Sequence, residues 1–304
     1  MAKLVIGSNK QNGIPAIVKE VGVQPSLGTK NISANGTYNA SSDNYDGYSS
    51  VTVAVPTVSE PYLELEVMSN GNLRHSTATS RLLPLSGFSG ITDFVLANAY
   101  SGNANISGDV IFTSLTNING THACYGAFRD THVSSFSAPM LTIISGAQAC
   151  QTMFQSSWIT TASMPELKTI SGNSACQSMF SMSRVSSVNL SKLETVSTNG
   201  LWGAFYDCDY LSSMTFDALK NIDAVYVFYN AFSNSGIQSI SFPALTSTSF
   251  GSRTNQFNNM LTGVTGCTVH FPSNLQSVIG SWSDVQNGFG GTNTTVLFDL
   301  PATE

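Results

Sequence analysis

The sequence predicts a repeat solenoid, mainly β with short helical or 3₁₀ turns. Three observations predict it: a phenylalanine that returns at a fixed interval, an apolar pattern locked to it, and hydroxylic residues filling the places between. Phe128, Phe154, Phe180, Phe205 and Phe232 are separated by 26, 26, 25 and 27 residues. A period of that size marks stacked units, none of which can bury its apolar face alone.

Within each unit the pattern holds its register. Five residues after the anchor stands an aliphatic side chain (Val133, Ile159, Val185, Ile237). Eight after it stands an apolar one (Phe136, Ala162, Val188, Ile240), and thirteen after it a leucine (Leu141, Leu167, Leu193, Leu245). The unit starting at Phe205 carries one extra residue, so Leu211, Met214 and Leu219 arrive one place late. The seventh position holds Ser135, Thr161, Ser187 and Ser239, with Ser213 delayed by one. The ninth holds Ser137, Ser163, Asn189 and Ser241, with Thr215 likewise delayed. Positions eight and ten then face inward and seven and nine outward, the alternation of a half-buried strand. One strand per unit, stacked about 4.8 Å apart, makes the outward column a ladder of hydroxyls: Ser135, Thr161, Ser187, Ser213, Ser239. Small residues precede the anchors at Ala123-Cys124, Ala149-Cys150 and Ala175-Cys176. They predict a close helical or 3₁₀ turn, with Gly120, Gly146, Gly172 and Gly200 as punctuation.

The run from Ala231-Phe232 through Ile237, Ile240, Phe242, Pro243 and Leu245 resembles the BspA-like leucine-rich repeats. That family occurs on bacterial surfaces, in protist surface proteins and in bacteriophage genomes. The resemblance spans roughly residues 91–272 and implies a leucine-rich-repeat solenoid; the matching positions are core positions, so it implies architecture rather than activity. Proline stands at Pro139, Pro165 and Pro243, but Ser191 and Asp217 replace it in the two units between. The register is irregular around Phe250–Met260.

The ends divide differently. Residues 1–30 read as an attachment segment, because the apolar runs Leu4–Ile6 and Ile14–Val18 are too short for a core of their own. They must lie on the neighbouring module, a sister chain or a particle. Residues 31–58 read as a small β-hairpin module, with turn dipeptides Asn35-Gly36 and Asp46-Gly47 and an alternating Ser50–Val55 that stops at Pro56. From Ile32 to Val53 this stretch resembles a small β motif recurrent in phage structural proteins. Residues 59–90 form a linker or N-terminal cap, 91–272 the solenoid, and 273–304 a C-terminal cap carrying Trp282, Phe289, Val296, Leu297 and Phe298.

Only 10% of the residues are charged, against the usual quarter or so. A 41% hydrophobic content still makes this a folding chain, so its surface is built of Ser, Thr and Asn. With a net charge of −6 and no basic cluster, nucleic acid is not an expected partner. No run reaches the ~18 apolar residues of a membrane span. The first ten residues lack the apolar core of a secretory signal. The expectation is synthesis in a host cytoplasm and residence on a virion released by lysis.

No catalytic motif occurs. G-x-S-x-G, H-E-x-x-H and phosphate-binding glycine loops are absent, and His75, His122, His132 and His270 are scattered. Cys124, Cys150 and Cys176 share one register and read as buried filler rather than metal ligands. The chain is expected to be no enzyme, with no cofactor and no metal. One column changes chemistry freely within the regular frame: His132, Trp158, Arg184 and Tyr210, then Gly236. Surface aromatic and Arg groups beside hydroxyls suit glycan or protein contact. The expected role is a virion surface protein, tail fibre or capsid decoration or head fibre. Its repeats would adhere to host or environmental glycans or proteins, and residues 1–30 would hold it to other virion proteins or to further copies of itself. A secreted bacterial surface adhesin and a purely structural virion component are the alternatives.

Overall fold

A computed structural model describes strand backbones within residues 2–91, and residues 96–251 and 255–303 with their side chains. Six strands come first: β1 (Ala2–Ser8), β2 (Pro15–Glu20), β3 (Thr29–Ile32), β4 (Ser50–Val53), β5 (Leu63–Val67) and β6 (Leu73–His75). They form one sheet in the order β3-β4-β2-β1-β5-β6. β1 runs antiparallel to both β2 and β5, so the strands described within residues 1–30 pair within their own chain. At the edges of the module expected over 31–58, β3 and β4 run parallel, Thr29 opposite Ser50, and the stretch between them lies outside the described residues. A parallel pair needs a crossover and cannot be closed by a tight turn. The expected linker over 59–90 supplies β5 and β6 to the same sheet. The turn dipeptides Asn35-Gly36 and Asp46-Gly47 lie outside the described residues.

The repeats stack as a β-solenoid of parallel strands, and each regular coil contributes two strands where one was expected. In chain order these are β7 (Gly90–Ile91), β8 (Ser107–Ile111), β9 (Asn117–Ile118), β10 (His132–Ser137), β11 (Ile143–Ile144), β12 (Thr161–Ser163) and β13 (Thr169–Ile170). Then come β14 (Ser187–Asn189), β15 (Thr195–Val196), β16 (Ser213–Thr215), β17 (Ser239–Ser241), β18 (Thr268–Pro272) and β19 (Thr295–Leu300). One face is the sheet β8-β10-β12-β14, continued further along by the sheet β16-β17-β18-β19. A second face is the sheet β7-β9-β11-β13-β15, in which Ile118, Ile144, Ile170 and Val196 are buried in register.

The third face holds the expected close turns, but they are not helical. In the coil before Phe128 the amides alternate. Those of Tyr125 and Ala127 bond three residues back, to His122 and Cys124. Those of Cys124, Gly126 and Phe128 bond across, to Ala149, Gln151 and Met153 of the next coil. Every fourth residue then takes a left-handed backbone, as at Gln148, Thr152 and Ser156 and again at Ser174, Ser178 and Met182. Helix geometry would turn all the amides along the chain; linked turns release half of them to join the coils. At Gly146 a Cβ would collide with the carbonyl oxygen of Gly120, and at Gly172 with that of Gly146. These glycines permit close approach between coils, beyond punctuating the chain.

The core is a set of side-chain columns. Phe128, Phe154, Phe180, Phe205 and Phe232 stack with ring centroids 5.4, 5.6, 5.7 and 5.1 Å apart, all buried, and Tyr100 extends the column at 5.2 Å from Phe128. A second column runs through Phe216, Phe242, Phe271 and Phe298. Cys124, Cys150 and Cys176 are buried in a third place as small filler. Residues 273–300 add one further coil: helices α1 (Gln276–Ile279) and α2 (Ser283–Gln286) lead into β19, which is the last strand of its sheet.

Candidate functional site

The hydroxyl ladder lies where the alternation places it. Ser135 pairs with Thr161 and Thr161 with Ser187; in the next sheet, Ser213 of β16 pairs with Ser239 of β17. Thr161, Ser187 and Ser213 are exposed and Ser135 and Ser239 half-buried. At its N-terminal end the ladder meets Asp109, which accepts hydrogen bonds from the hydroxyls of Ser135 at 2.6 Å and Ser134 at 2.8 Å. Those bonds, Ser135's first, hold the Asp109 carboxyl below the usual carboxylate range.

Three members of the variable column come together. The His132 and Trp158 ring centroids are 3.9 Å apart, and the Arg184 guanidinium lies 4.0 Å from the Trp158 ring centre. Trp158 is 46% exposed, yet these two contacts occupy its ring, leaving chiefly the indole edge for a partner. Tyr210 is 62% exposed and stacks on no other ring among the described residues. Of the column, Tyr210 is therefore the group with an aromatic face to offer. At the equivalent place in the next coil, a side chain at Gly236 would strike the Asp209 carbonyl. Gly236 thus leaves room for the Asp209 carbonyl of the lengthened Phe205 unit.

A notch opens between β14 and β16, a few residues along the chain from Tyr210. Along the first face, Phe112, Ala138, Met164, Phe216 and Phe242 each donate a backbone hydrogen bond to the next coil. Leu190, the member of that series between Met164 and Phe216, has no such bond. A parallel series runs through Thr160, Ser186, Gln238 and Thr268, and Ser212 is its missing member. The sheet is accordingly split between β14 and β16. The second face continues past this junction, where Lys220 and Asn221 donate to Glu194. So does the turn face, where Met182 donates to Tyr206.

The split leaves a cavity of about 270 Å³, walled by Ser187, Asn189, Ser191, Ser213, Thr215 and Asp217 among others. The side chains of Ser187, Ser191, Ser213, Thr215 and Asp217 make no hydrogen bond to another described group. Two of these, Ser191 and Asp217, are the residues that replace proline in the repeat. The sequence shows each departure separately: the long unit after Phe205 and the two missing prolines. Their meeting at one junction is visible only in three dimensions.

Among the described residues, no helix is long and apolar enough to cross a membrane, and no group of three or more His, Cys, Asp or Glu could hold a metal. Burial raises the Cys208 and Cys267 thiols to about 12, and hydrogen bonding to the preceding thiol of the column, with burial, raises Cys150 and Cys176. Such thiols are poor nucleophiles. No family model, curated protein or solved structure matches the chain.

Proposed function

We propose that this protein is a non-enzymatic surface-recognition protein of a bacteriophage particle, a tail fibre or a capsid decoration or head fibre. In this reading the solenoid is a rigid rod that displays one recognition face toward host or environmental glycans or proteins. The observation that carries it is the row of half-buried His132 and exposed Trp158 and Arg184, with exposed Tyr210 beyond it, held in register beside the hydroxyl ladder. Aromatic and Arg groups on a preorganised frame are the groups that most often dominate contact energy. The particle assignment rests on two resemblances, of the repeat to BspA-like leucine-rich repeats and of residues 32–53 to a β motif of phage structural proteins.

The test compares the wild-type chain with the Trp158→Ala/Tyr210→Ala double variant for binding to bacterial cells and for thermal unfolding. Cell binding should fall by an order of magnitude or more. Stability should fall by no more than about 1 kcal/mol, the usual size of an exposed cation–π contact. Equal binding by both proteins would remove this row from the recognition face. Electron microscopy of the native particle, with the solenoid found outside it or absent from it, decides the particle assignment.

A further inference from the structure

Among the described residues, every other coil junction on the first face is sewn by backbone hydrogen bonds; the one between β14 and β16 is not. We propose that this junction is a saccharide site that takes a single sugar ring of a surface glycan. The inference rests on the recognition reading above and gives that reading a site.

The geometry narrows the occupant. The Cα atoms of β14 and β16 still approach within 8 Å, whereas a peptide strand added between them would need about 9.6 Å, two strand spacings. A β-strand therefore does not fit. The cavity of about 270 Å³ falls below the roughly 300–1,000 Å³ of drug-sized pockets, which suits one ring rather than a longer buried ligand. Of the lining residues only Asp217 is ionisable. One carboxylate is a poor set for calcium, which takes six to eight oxygens. No cation lines the notch to hold a phosphate or sulfate, and neighbouring Lys192 is tied to Glu166 at 2.6 Å.

What remains is a wall rich in donors and acceptors that the protein leaves unused. The hydroxyls of Ser187, Ser191, Ser213 and Thr215 and the carboxylate of Asp217 lack hydrogen-bond partners among the described residues. The amides of Leu190 and Ser212 lack the bonds their equivalents make in other coils. A sugar ring presents alternating hydroxyls at comparable density, each able to donate and accept. Three residues before Ser213 stands Tyr210, 62% exposed, an apolar ring with a polar tip. It supplies a platform for the C–H face of the next sugar unit.

The notch is also built rather than incidental. The extra residue enters upstream of β16, Gly236 leaves room for the Asp209 carbonyl of that lengthened unit, and both flanking coils lack the proline found at Pro139, Pro165 and Pro243.

The experiment probes the full chain against a printed array of bacterial-surface and mucin-type oligosaccharides. It compares wild type with Asp217→Ala, Ser213→Ala/Thr215→Ala and, as a control on the second face beside β13, Lys168→Ala. The altered side chains are solvent-facing, and melting curves verify that each variant is folded. The expected result is wild-type binding to a subset of glycans, lost by about tenfold or more in the two notch variants and kept in Lys168→Ala. Equal loss in all three variants, or binding unchanged in the notch variants, overturns the notch while leaving glycan recognition standing. Wild-type binding to cells but to no oligosaccharide overturns the saccharide class. Wild-type binding to neither overturns the recognition reading as well.

Discussion

Phe154 lies parallel to Phe180, with planes 4° apart and centroids 5.6 Å apart. That relationship repeats from coil to coil, so each ring is packed by the coil before it and the coil after. Phe154→Ala should therefore empty a site that neither neighbour can collapse into. The expected loss is about 3–5 kcal/mol, read from denaturant unfolding. A loss below about 1 kcal/mol would mean the column is not a continuous core.

Close approach between coils predicts a second effect. A methyl group at Gly146 meets the Gly120 carbonyl, which is backbone and cannot swing aside. Gly146→Ala should destabilise by about 3 kcal/mol, although alanine has no intrinsic objection to the local turn. Wild-type stability in this variant would show that the coils are spaced more widely.

The turn face predicts a stabilising change. Thr152 holds a left-handed backbone at φ 54°, costly for a β-branched residue. Asn98 and Asn230 occupy the equivalent place in other coils, as their bonds to Tyr125 and Asn258 show. Thr152→Asn should gain about 1 kcal/mol. A loss of stability would contradict the left-handed assignment there.

Thiol chemistry gives a pH prediction. Burial raises Cys208 from 9.0 to about 12, so the folded state favours the neutral thiol. The sign follows: this contribution is complete below pH 9 and is lost as pH rises from about 9 toward 12. Native protein at pH 8 should resist alkylation at all five cysteines, each of which is buried, and should react fully once unfolded. Cys208→Ala should flatten the alkaline fall in stability. Rapid alkylation of the native chain would place these residues at the surface.

Much of this architecture was legible because one large side chain marks each coil. The column of five phenylalanines and the inward and outward positions around Phe136 and Ser135 follow from spacing alone. Tyr100 escaped because it stands 28 residues before Phe128, off the period and with a different ring. The second sheet escaped because strands such as β11 and β13 are two residues long, too short to alternate. The left-handed turns at Gln148, Met182 and Tyr226 have no local signature; bonding between coils imposes them over propensity. The row from His132 to Arg184 was legible as the position where a regular frame tolerates any chemistry. The cover that His132 and Arg184 place on Trp158 was not, since only stacking reveals it. The notch is lined by ordinary serines and threonines, and its signs in the sequence are omissions: a proline missing twice and a unit one residue long.

The broken junction between β14 and β16 is the centre of this account, and amide hydrogen exchange resolved by residue tests it most directly. Ala138, Met164 and Phe216 donate across coil junctions at 2.9, 3.0 and 2.9 Å, and their amides should exchange slowly. The amides of Leu190 and Ser212 should exchange orders of magnitude faster, although they lie between protected neighbours, because opening is not needed where no bond exists. Protection of Leu190 and Ser212 equal to that of Met164 and Phe216 would show a continuous sheet. In that event there would be no notch.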